Sequence, residues 1–153
     1  MINYNFSLVL PIFNEEEIVE KALDEIIQIN LENKSIFEII IVDDGSNDST
    51  KLILGKYKSN QDIKIIYHDR NYGYGRALKT GIKNANTKNI FITDIDGTYP
   101  NTRIVDFYNK FSENKYDMLV GARDSRSKNI SLLRKPPKYL INKLANYLVD
   151  YKI

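Results

Sequence analysis

The sequence has 153 residues, a length typical of one domain. Its net charge of +2 and hydrophobic content of 42% indicate an ordinary folded core, and they exclude a disordered chain or an arm that binds nucleic acid. The chain has no cysteine, which excludes disulfide scaffolds, thiolate zinc sites and cysteine nucleophiles. With His68 as the one histidine, a metal centre of several histidines cannot form and a Ser-His-Asp triad is disfavoured.

The sequence contains no signal for membrane crossing or secretion. It has no uninterrupted apolar run of about 18 residues, the length that spans a bilayer. Residues 1–5 lack the basic and apolar regions of a signal peptide. We therefore expect a cytoplasmic location.

Charge is unevenly distributed along the chain. Residues 1–122 carry 14 Lys and Arg against 18 Asp and Glu, whereas residues 123–153 carry 8 against 2. The basic end is typical of a segment that meets an anionic partner, such as a phosphate or a membrane surface, and equally of a solvated basic helix.

Strand and helix patterns alternate along the chain. Apolar or β-branched runs predict strands at residues 6–10, 37–42, 63–67, 89–93 and 118–120. Apolar residues at helical spacing, with turn and cap signals, predict helices at 15–29, from Asn47 or Asp48 to 57, 75–85, 101–111 and 138–151. Residues 124–135 lack periodicity and are predicted to form a loop. The alternation predicts one α/β domain over residues 1–153, a doubly wound, mainly parallel sheet with helices on both faces.

Polar residues follow every predicted strand. In open parallel sheets, ligands bind outside the carboxyl ends of the strands, near the point where strand order reverses. The segments that follow the strands therefore belong to one edge of the sheet, and they are 11–15, 43–46, 68–75, 94–98 and 121–123.

Asp94 and Asp96 flank one residue at the end of the fourth predicted strand. Two close carboxylates repel each other unless a cation or a proton separates them. Mg²⁺ typically binds one or two carboxylates together with phosphate oxygens of a substrate. The pair therefore favours a metal-bound diphosphate, with a hydroxyl contact from Thr98, although an Asp-Gly turn is the alternative.

The second and third strand ends also carry candidate groups. Residues 46–48 are typical helix caps, but Asp43 and Asp44 are not explained as caps. A carboxylate at this place can accept a hydrogen bond from a nucleobase N–H or a ribose hydroxyl. The glycine-rich segment 71–75 does not match a dinucleotide or P-loop pattern. His68 is more typical of a structural or exposed residue than of a catalytic one.

Four segments together resemble family 2 glycosyltransferases of the GT-A fold, and among these the dolichyl- and polyprenyl-phosphate sugar transferases. They are residues 10–16, 42–50, 71–81 and 94–100, and their order and spacing agree across nearly the whole chain. The resemblance implies an inverting transfer of a sugar from a UDP- or GDP-linked donor to a polyprenyl phosphate or glycan acceptor. It also implies a divalent ion, Mg²⁺ or Mn²⁺.

The resemblance also implies roles for individual residues. Asp94 and Asp96 match the Asp-x-Asp motif that holds the metal and takes part in catalysis. Other positions match residues that bind the nucleotide sugar, namely Pro11, Phe13, Glu15, Val42, Asp44, Ile95, Thr98, Arg123 and Arg134. Phe13 stands where many relatives have Tyr, and Thr98 where Gln is frequent.

The chain departs from this family at its carboxyl end, because relatives continue with further strands and helices that complete the acceptor side. We therefore expect residues 1–122 to form the nucleotide-sugar-binding core, with residues 123–153 a basic loop and an amphipathic helix. Residues 138–151 have the pattern of a helix lying on the inner face of a membrane, or packed on the sheet. A partner chain that supplies the missing part is a further expectation.

Two alternatives remain open at the level of the sequence. Segment 94–98 also looks like the first motif of haloacid-dehalogenase-type phosphatases, with Asp94 as nucleophile and Asp96 as acid/base. That family requires a downstream acidic pair, which the sequence after Thr98 lacks. The second alternative is a truncated domain that binds a nucleotide without turnover.

Overall fold

The computed structural model of the chain describes residues 4–97, 100–114 and 116–121. The chain divides into two compact units, Met1–Tyr116 and Asp117–Ile153. Every helix and strand given below belongs to the first unit. Of the second unit the structure describes residues 117–121, which hold no helix or strand.

The first unit is an α/β fold with strands and helices in alternation. Its strands are β1 (Phe6–Ile12), β2 (Phe37–Asp43), β3 (Ile63–Tyr67) and β4 (Ile90–Ile92). Its helices are α1 (Val19–Glu32), α2 (Thr50–Gly55), α3 (Tyr74–Lys83) and α4 (Ile104–Asn114), and the 3₁₀ turn Asn101–Arg103 precedes α4. Among the described residues, no helix is long and apolar enough to cross a bilayer.

The sheet has the strand order β3-β2-β1-β4, and all of its neighbouring strands are parallel. The chain builds outward from β1 to β3 and then returns to place β4 on the other side of β1. Strand order therefore reverses between β1 and β4, which is the place where open parallel sheets bind ligands.

Alternating side chains of the central strands belong to two apolar layers, one on each face of the sheet. Leu8, Leu10 and Ile12 of β1 belong to a core with buried residues of α1, α2 and α4. Val9 points into a second cluster with Ala77 of α3. Helices therefore cover both faces of the sheet, as a doubly wound fold requires, and the predicted fold class is confirmed.

Most predicted elements are present with shifted ends. Strand β3 has the predicted bounds, whereas α1 begins four residues later than predicted, at Val19. The backbone N–H groups of Ile18 and Val19 both donate to the carbonyl of Glu15 in a tight turn before the helix. This turn over residues 16–18 leads into the helix, and the residues before it remain at the edge of the sheet.

The fifth predicted strand, at residues 118–120, is wrong. These residues are irregular, and the side chains of Met118 and Val120 are 78% and 68% exposed. A three-residue apolar run persists as a strand only if a neighbour takes up its backbone hydrogen bonds, as β1 does for the equally short β4.

Candidate functional site

A cavity of about 340 Å³ opens at the carboxyl edge of the sheet. It receives residues from the segments that follow all four strands, at the reversal of strand order. The residues that line it are Pro11, Ile12, Phe13, Glu15, Asp44, Asn71, Tyr74, Ala77, Asp94, Ile95 and Asp96.

The loop after β1 is held by the loop after β2. Asn14 has a positive φ of 56°, and its backbone N–H donates to the hydroxyl of Ser46 at 2.9 Å. The backbone N–H of Asn47 donates in return to the Asn14 side-chain oxygen at 2.9 Å. The backbone N–H of Glu15 donates to the buried hydroxyl of Thr50, also at 2.9 Å. This reciprocal pairing fixes the segment that carries Phe13 and Glu15 into the cavity wall.

Asp48 joins the same two loops just before α2. Its carboxylate accepts the backbone N–H of Thr50 at 2.9 Å and that of Glu16 at 3.2 Å. Burial acts to raise the pKa of the Asp48 carboxyl, but these hydrogen bonds outweigh it and hold the pKa below the usual value. Asp48, one of the predicted cap residues, thus satisfies the first N–H of α2.

Asp44 is the carboxylate at the β2 end of the cavity. It is 3% exposed and accepts hydrogen bonds from the backbone N–H groups of Tyr72 and Gly73, at 3.0 and 2.7 Å. Its third donor is Nδ1 of His68, at 2.6 Å. His68 thus supports a cavity residue through a hydrogen bond, which agrees with the sequence-based interpretation of His68 as structural and not catalytic. Asp43, the neighbouring aspartate, is also buried and accepts the N–H of Ser46, which explains it as a turn residue.

Gly45 allows the loop after β2 to touch the loop after β3. Its φ is +74°, and a Cβ atom there would lie 2.3 Å from the backbone carbonyl carbon of Arg70. No side chain fits at that distance, so glycine is needed both for the turn and for the close approach. The approach brings the N–H groups of Tyr72 and Gly73 within reach of Asp44.

Asp94 and Asp96 stand on either side of a buried anchor. Ile95 is 3% exposed and packs into the core beneath the sheet edge, while Asp96 is exposed. Asp94 accepts a hydrogen bond from the hydroxyl of Tyr74 at 3.1 Å. The packing of Ile95 therefore fixes the backbone from which both carboxylates reach the cavity.

The acidic side of the cavity is electrostatically unfavourable for a further negative charge. The pKa of the Glu15 carboxyl is raised, first by burial and then by the negative charges of Asp96, Asp48 and Asp94. Three of these four carboxylates, Glu15, Asp94 and Asp96, line the cavity. A cation placed among them would remove this repulsion.

The donor set fits a hard divalent cation that is shared with a ligand. Carboxylate oxygens are preferred by Mg²⁺ and Mn²⁺. Within the described part of the chain, no group of three or more His, Cys, Asp or Glu side chains is arranged to hold a metal by itself. Mg²⁺ sites commonly take one or two carboxylates and leave the other coordination positions to substrate phosphate oxygens and water.

The structure places most predicted site residues in one place. Seven of them line the cavity, namely Pro11, Phe13, Glu15, Asp44, Asp94, Ile95 and Asp96. Val42 is not among the lining residues, because its side chain is fully buried against Val9 and Ala77. Thr98, Arg123, Arg134 and the predicted helix at 138–151 lie outside the described residues.

Sequence reasoning did not assign individual site roles to Asn71, Tyr74 and Ala77, which also line the cavity. The glycine-rich segment 71–75, which leads into α3, was the sequence feature that pointed to this part of the cavity. Tyr74 begins α3, so its hydroxyl reaches across to the β4 loop and Asp94. That contact joins segments 20 residues apart and has no local sequence signature.

Comparisons with known proteins agree with this architecture. The family model "Glycosyl transferase family 2" matches residues 7–152. The chain is 31% identical over 149 residues to the dodecaprenyl-phosphate galacturonate synthase of Rhizobium johnstonii, covering 96% of this chain and 44% of that protein. The chain therefore spans less than half the length of this curated relative.

Two solved structures show the same fold. Staphylococcus aureus TarS 1–349 in complex with UDP-GlcNAc has a TM-score of 0.66 and 25% identity, covering 82% of this chain and 36% of that one. The mannosyltransferase PcManGT of Pyrobaculum calidifontis, in complex with GDP-Man and Mn²⁺, has a TM-score of 0.56 and 23% identity, covering 67% and 30%. The family match decides against the haloacid-dehalogenase alternative, and the chain belongs to glycosyl transferase family 2.

Proposed function

We propose that this chain binds a nucleotide sugar together with Mg²⁺ or Mn²⁺ and takes part in the inverting transfer of the sugar to a polyprenyl phosphate. One observation carries the proposal. In a chain of this family, the carboxylates of Glu15, Asp44, Asp94 and Asp96, which follow three different strands, line a single cavity at the carboxyl edge of the sheet.

The two sides of the cavity suit the two parts of a nucleotide diphosphate. Near Asp44 the lining includes the apolar residues Pro11, Ile12 and Ala77, which suit a nucleobase face. On the other side, Asp94 and Asp96 would hold the divalent ion and, through it, the diphosphate. A bound ion there would stabilise negative charge on the departing nucleoside diphosphate.

Phe13 and Tyr74 belong to the open part of the cavity wall. They are 40% and 54% exposed, so both rings are accessible to a ligand. The Tyr74 hydroxyl donates to Asp94 and so restrains the rotamer of that carboxylate. We assign Tyr74 the role of orienting Asp94 toward the metal, and Phe13 that of covering the nucleoside.

The acceptor proposal follows from charge and chemistry. A relative named for dodecaprenyl phosphate covers 96% of this chain. A phosphate acceptor is already anionic at neutral pH, so it needs no general base to attack the sugar. The acceptor oxygen would form a bond to the anomeric carbon while the bond to the diphosphate breaks with its electron pair, which inverts the configuration. Residues 123–153, with 8 basic against 2 acidic side chains, would meet the anionic acceptor and the membrane surface, and Arg123 and Arg134 would donate to phosphate oxygens.

Domain organisation is part of the same proposal. Residues 1–122 would form the donor-binding core and residues 123–153 the basic segment toward the acceptor. Since the chain spans less than half of its curated relative, a chain that binds the donor without turnover is the second candidate. The two candidates share the donor site and differ in transfer.

Titration calorimetry with UDP- and GDP-sugars in Mn²⁺, followed by a transfer assay with undecaprenyl phosphate in detergent, tests the proposal. Asp94→Asn and Asp96→Asn should weaken metal-dependent donor binding by roughly 100-fold, because each removes a proposed metal ligand. Asp106→Asn is the matched control, since Asp106 is exposed on α4 and pairs with Arg103.

Equal affinity in the cavity variants and the control would refute the metal site. Donor binding without any transfer would leave the second candidate, and transfer to the lipid phosphate would establish the first.

A further inference from the structure

His68 lies in a chain of side chains that leads from the cavity to helix α3. Its Nδ1 atom is 2.6 Å from Oδ1 of Asp44, and its Nε2 atom is 3.0 Å from the hydroxyl oxygen of Thr80. The side chains of His68 and Asp44 are only 11% and 5% exposed. Since carboxylate oxygens accept and do not donate, Nδ1 carries the proton in this pair. The contact with Thr80 holds the ring in place from the far side.

The contacts of Asp44 use up most of its capacity as an acceptor. A carboxylate offers about four lone-pair positions, two on each oxygen. Among the described residues, Oδ1 accepts from both His68 and the N–H of Tyr72, while Oδ2 accepts from the N–H of Gly73. One position on Oδ2 is therefore left for a ligand in the cavity that Asp44 lines.

Nucleobases differ in what they offer to such an acceptor. Uracil presents one N–H, at N3, between two carbonyl groups. Guanine presents two adjacent donors, N1–H and N2–H₂, which pair with both oxygens of a free carboxylate. Cytosine presents an unprotonated N3 at the place of the uracil N3–H, and its one donor group, N4–H₂, lies beside that place, so an acceptor aligned with N3 meets a lone pair.

We propose that His68 is a positioning residue that determines donor specificity: by occupying Oδ1 of Asp44, it directs the site to a base with a single N–H, of the uracil type. This inference rests on the proposed function, because it takes the cavity to be the nucleotide-sugar site. His68 acts through Asp44 and does not contact the ligand. The same contact keeps guanine from forming its paired hydrogen bonds.

Competition binding of UDP, GDP and CDP to the full chain in Mn²⁺ is the first test. UDP should bind at least about tenfold more tightly than either GDP or CDP, the worth of one hydrogen bond to a charged acceptor. If none of the three binds, the proposed function fails and the inference fails with it. If they bind with equal affinity, or GDP binds best, the proposed function stands and the inference alone is overturned.

The second test compares two substitutions of His68. His68→Ala frees a position on Oδ1, so the preference for UDP over GDP should narrow by about fivefold or more. His68→Asn keeps a side-chain N–H close to the place of Nδ1 and should restore the wild-type preference. A purely structural role would lower the affinity for both nucleotides together and leave their ratio unchanged, and that result would overturn the inference.

Discussion

Glu38 at the amino end of the sheet and the acidic cluster of Glu15, Asp94 and Asp96 at its carboxyl end show two opposite arrangements of carboxylates. At the amino end, Glu38 of β2 is 4% exposed and accepts hydrogen bonds from the Ser7 hydroxyl and, at 2.6 Å each, from the backbone and side-chain N–H groups of Asn86. At the carboxyl end, Glu15, Asp94 and Asp96 line one cavity, and the charges of the two aspartates raise the pKa of Glu15.

The difference shows which carboxylates serve the fold. The donors around Glu38 come from β1 and from the loop before β4, so that carboxylate ties three segments together. At the other end, like charges are gathered although they oppose one another, which costs stability and is typical of a ligand site. Removing Glu38 should therefore destabilise the protein, whereas removing the charge of Glu15 should not.

The largest effect on stability is expected for Glu38→Ala. The substitution leaves the buried Ser7 hydroxyl and the N–H groups of Asn86 without this acceptor and should lower the free energy of unfolding by about 2 kcal/mol. Denaturant unfolding measures this loss. Glu32→Ala is the control, because Glu32 is an exposed acceptor for Gln28 and its removal should change stability by no more than about 0.5 kcal/mol. Equal losses in the two variants would contradict the structural role of Glu38.

A smaller effect is expected where the two loops beside the cavity meet. Thr50→Val keeps the shape of a fully buried side chain but removes the hydroxyl that accepts the Glu15 N–H. Unfolding free energy should fall by about 1 kcal/mol, and nucleotide binding should weaken because Glu15 and Phe13 lose their support. Thr102→Val, at an exposed position of the 3₁₀ turn, should change neither measurement. Unaltered nucleotide affinity in Thr50→Val would show that the loop pairing does not support the site.

The smallest effect on stability is expected for Glu15→Gln, and it is an increase. The folded state raises the pKa of Glu15 above its ordinary value of 4.5, so it disfavours the ionised form. The stabilising contribution of the protonated form is complete below that ordinary value and is lost as the pH rises through the folded-state pKa. Glu15→Gln should therefore increase unfolding free energy at pH 7, by less than about 1 kcal/mol, and make no difference at pH 4. Unfolding curves at both pH values check this, and a loss of stability at pH 7 would contradict the repulsion.

Local pattern was enough to predict the elements that are rich in apolar residues. The nearly continuous apolar run of β2 and the alternation of strands with helices predicted the parallel sheet and the edge where polar residues gather. Met118 and Val120 show the limit of that approach, because a short apolar run becomes a strand only where a neighbour pairs with it.

The sequence predicted the carboxylates of the site better than the residues that hold them in place. Asp44, Asp94 and Asp96 could be assigned to one edge because each follows a strand. The hydrogen-bond partners of Asp44 could not be predicted from the sequence. Its donors His68 and Gly73 lie 24 and 29 residues away along the chain, and the turn at Gly45 brings them close. The resemblance assigned Val42 to nucleotide-sugar binding. Its burial against α3 depends on how the sheet packs, which sequence spacing alone does not show.

The central claim is that carboxylates from separate strand ends bind a diphosphate through a shared cation. The most direct measurement is the affinity of the full chain for UDP, by titration calorimetry, with Mn²⁺ and then with EDTA in its place. The account predicts tight binding with Mn²⁺ and a loss of roughly 100-fold or more without it, since the acidic cluster then repels the phosphates. Equal affinity in the two conditions would contradict it.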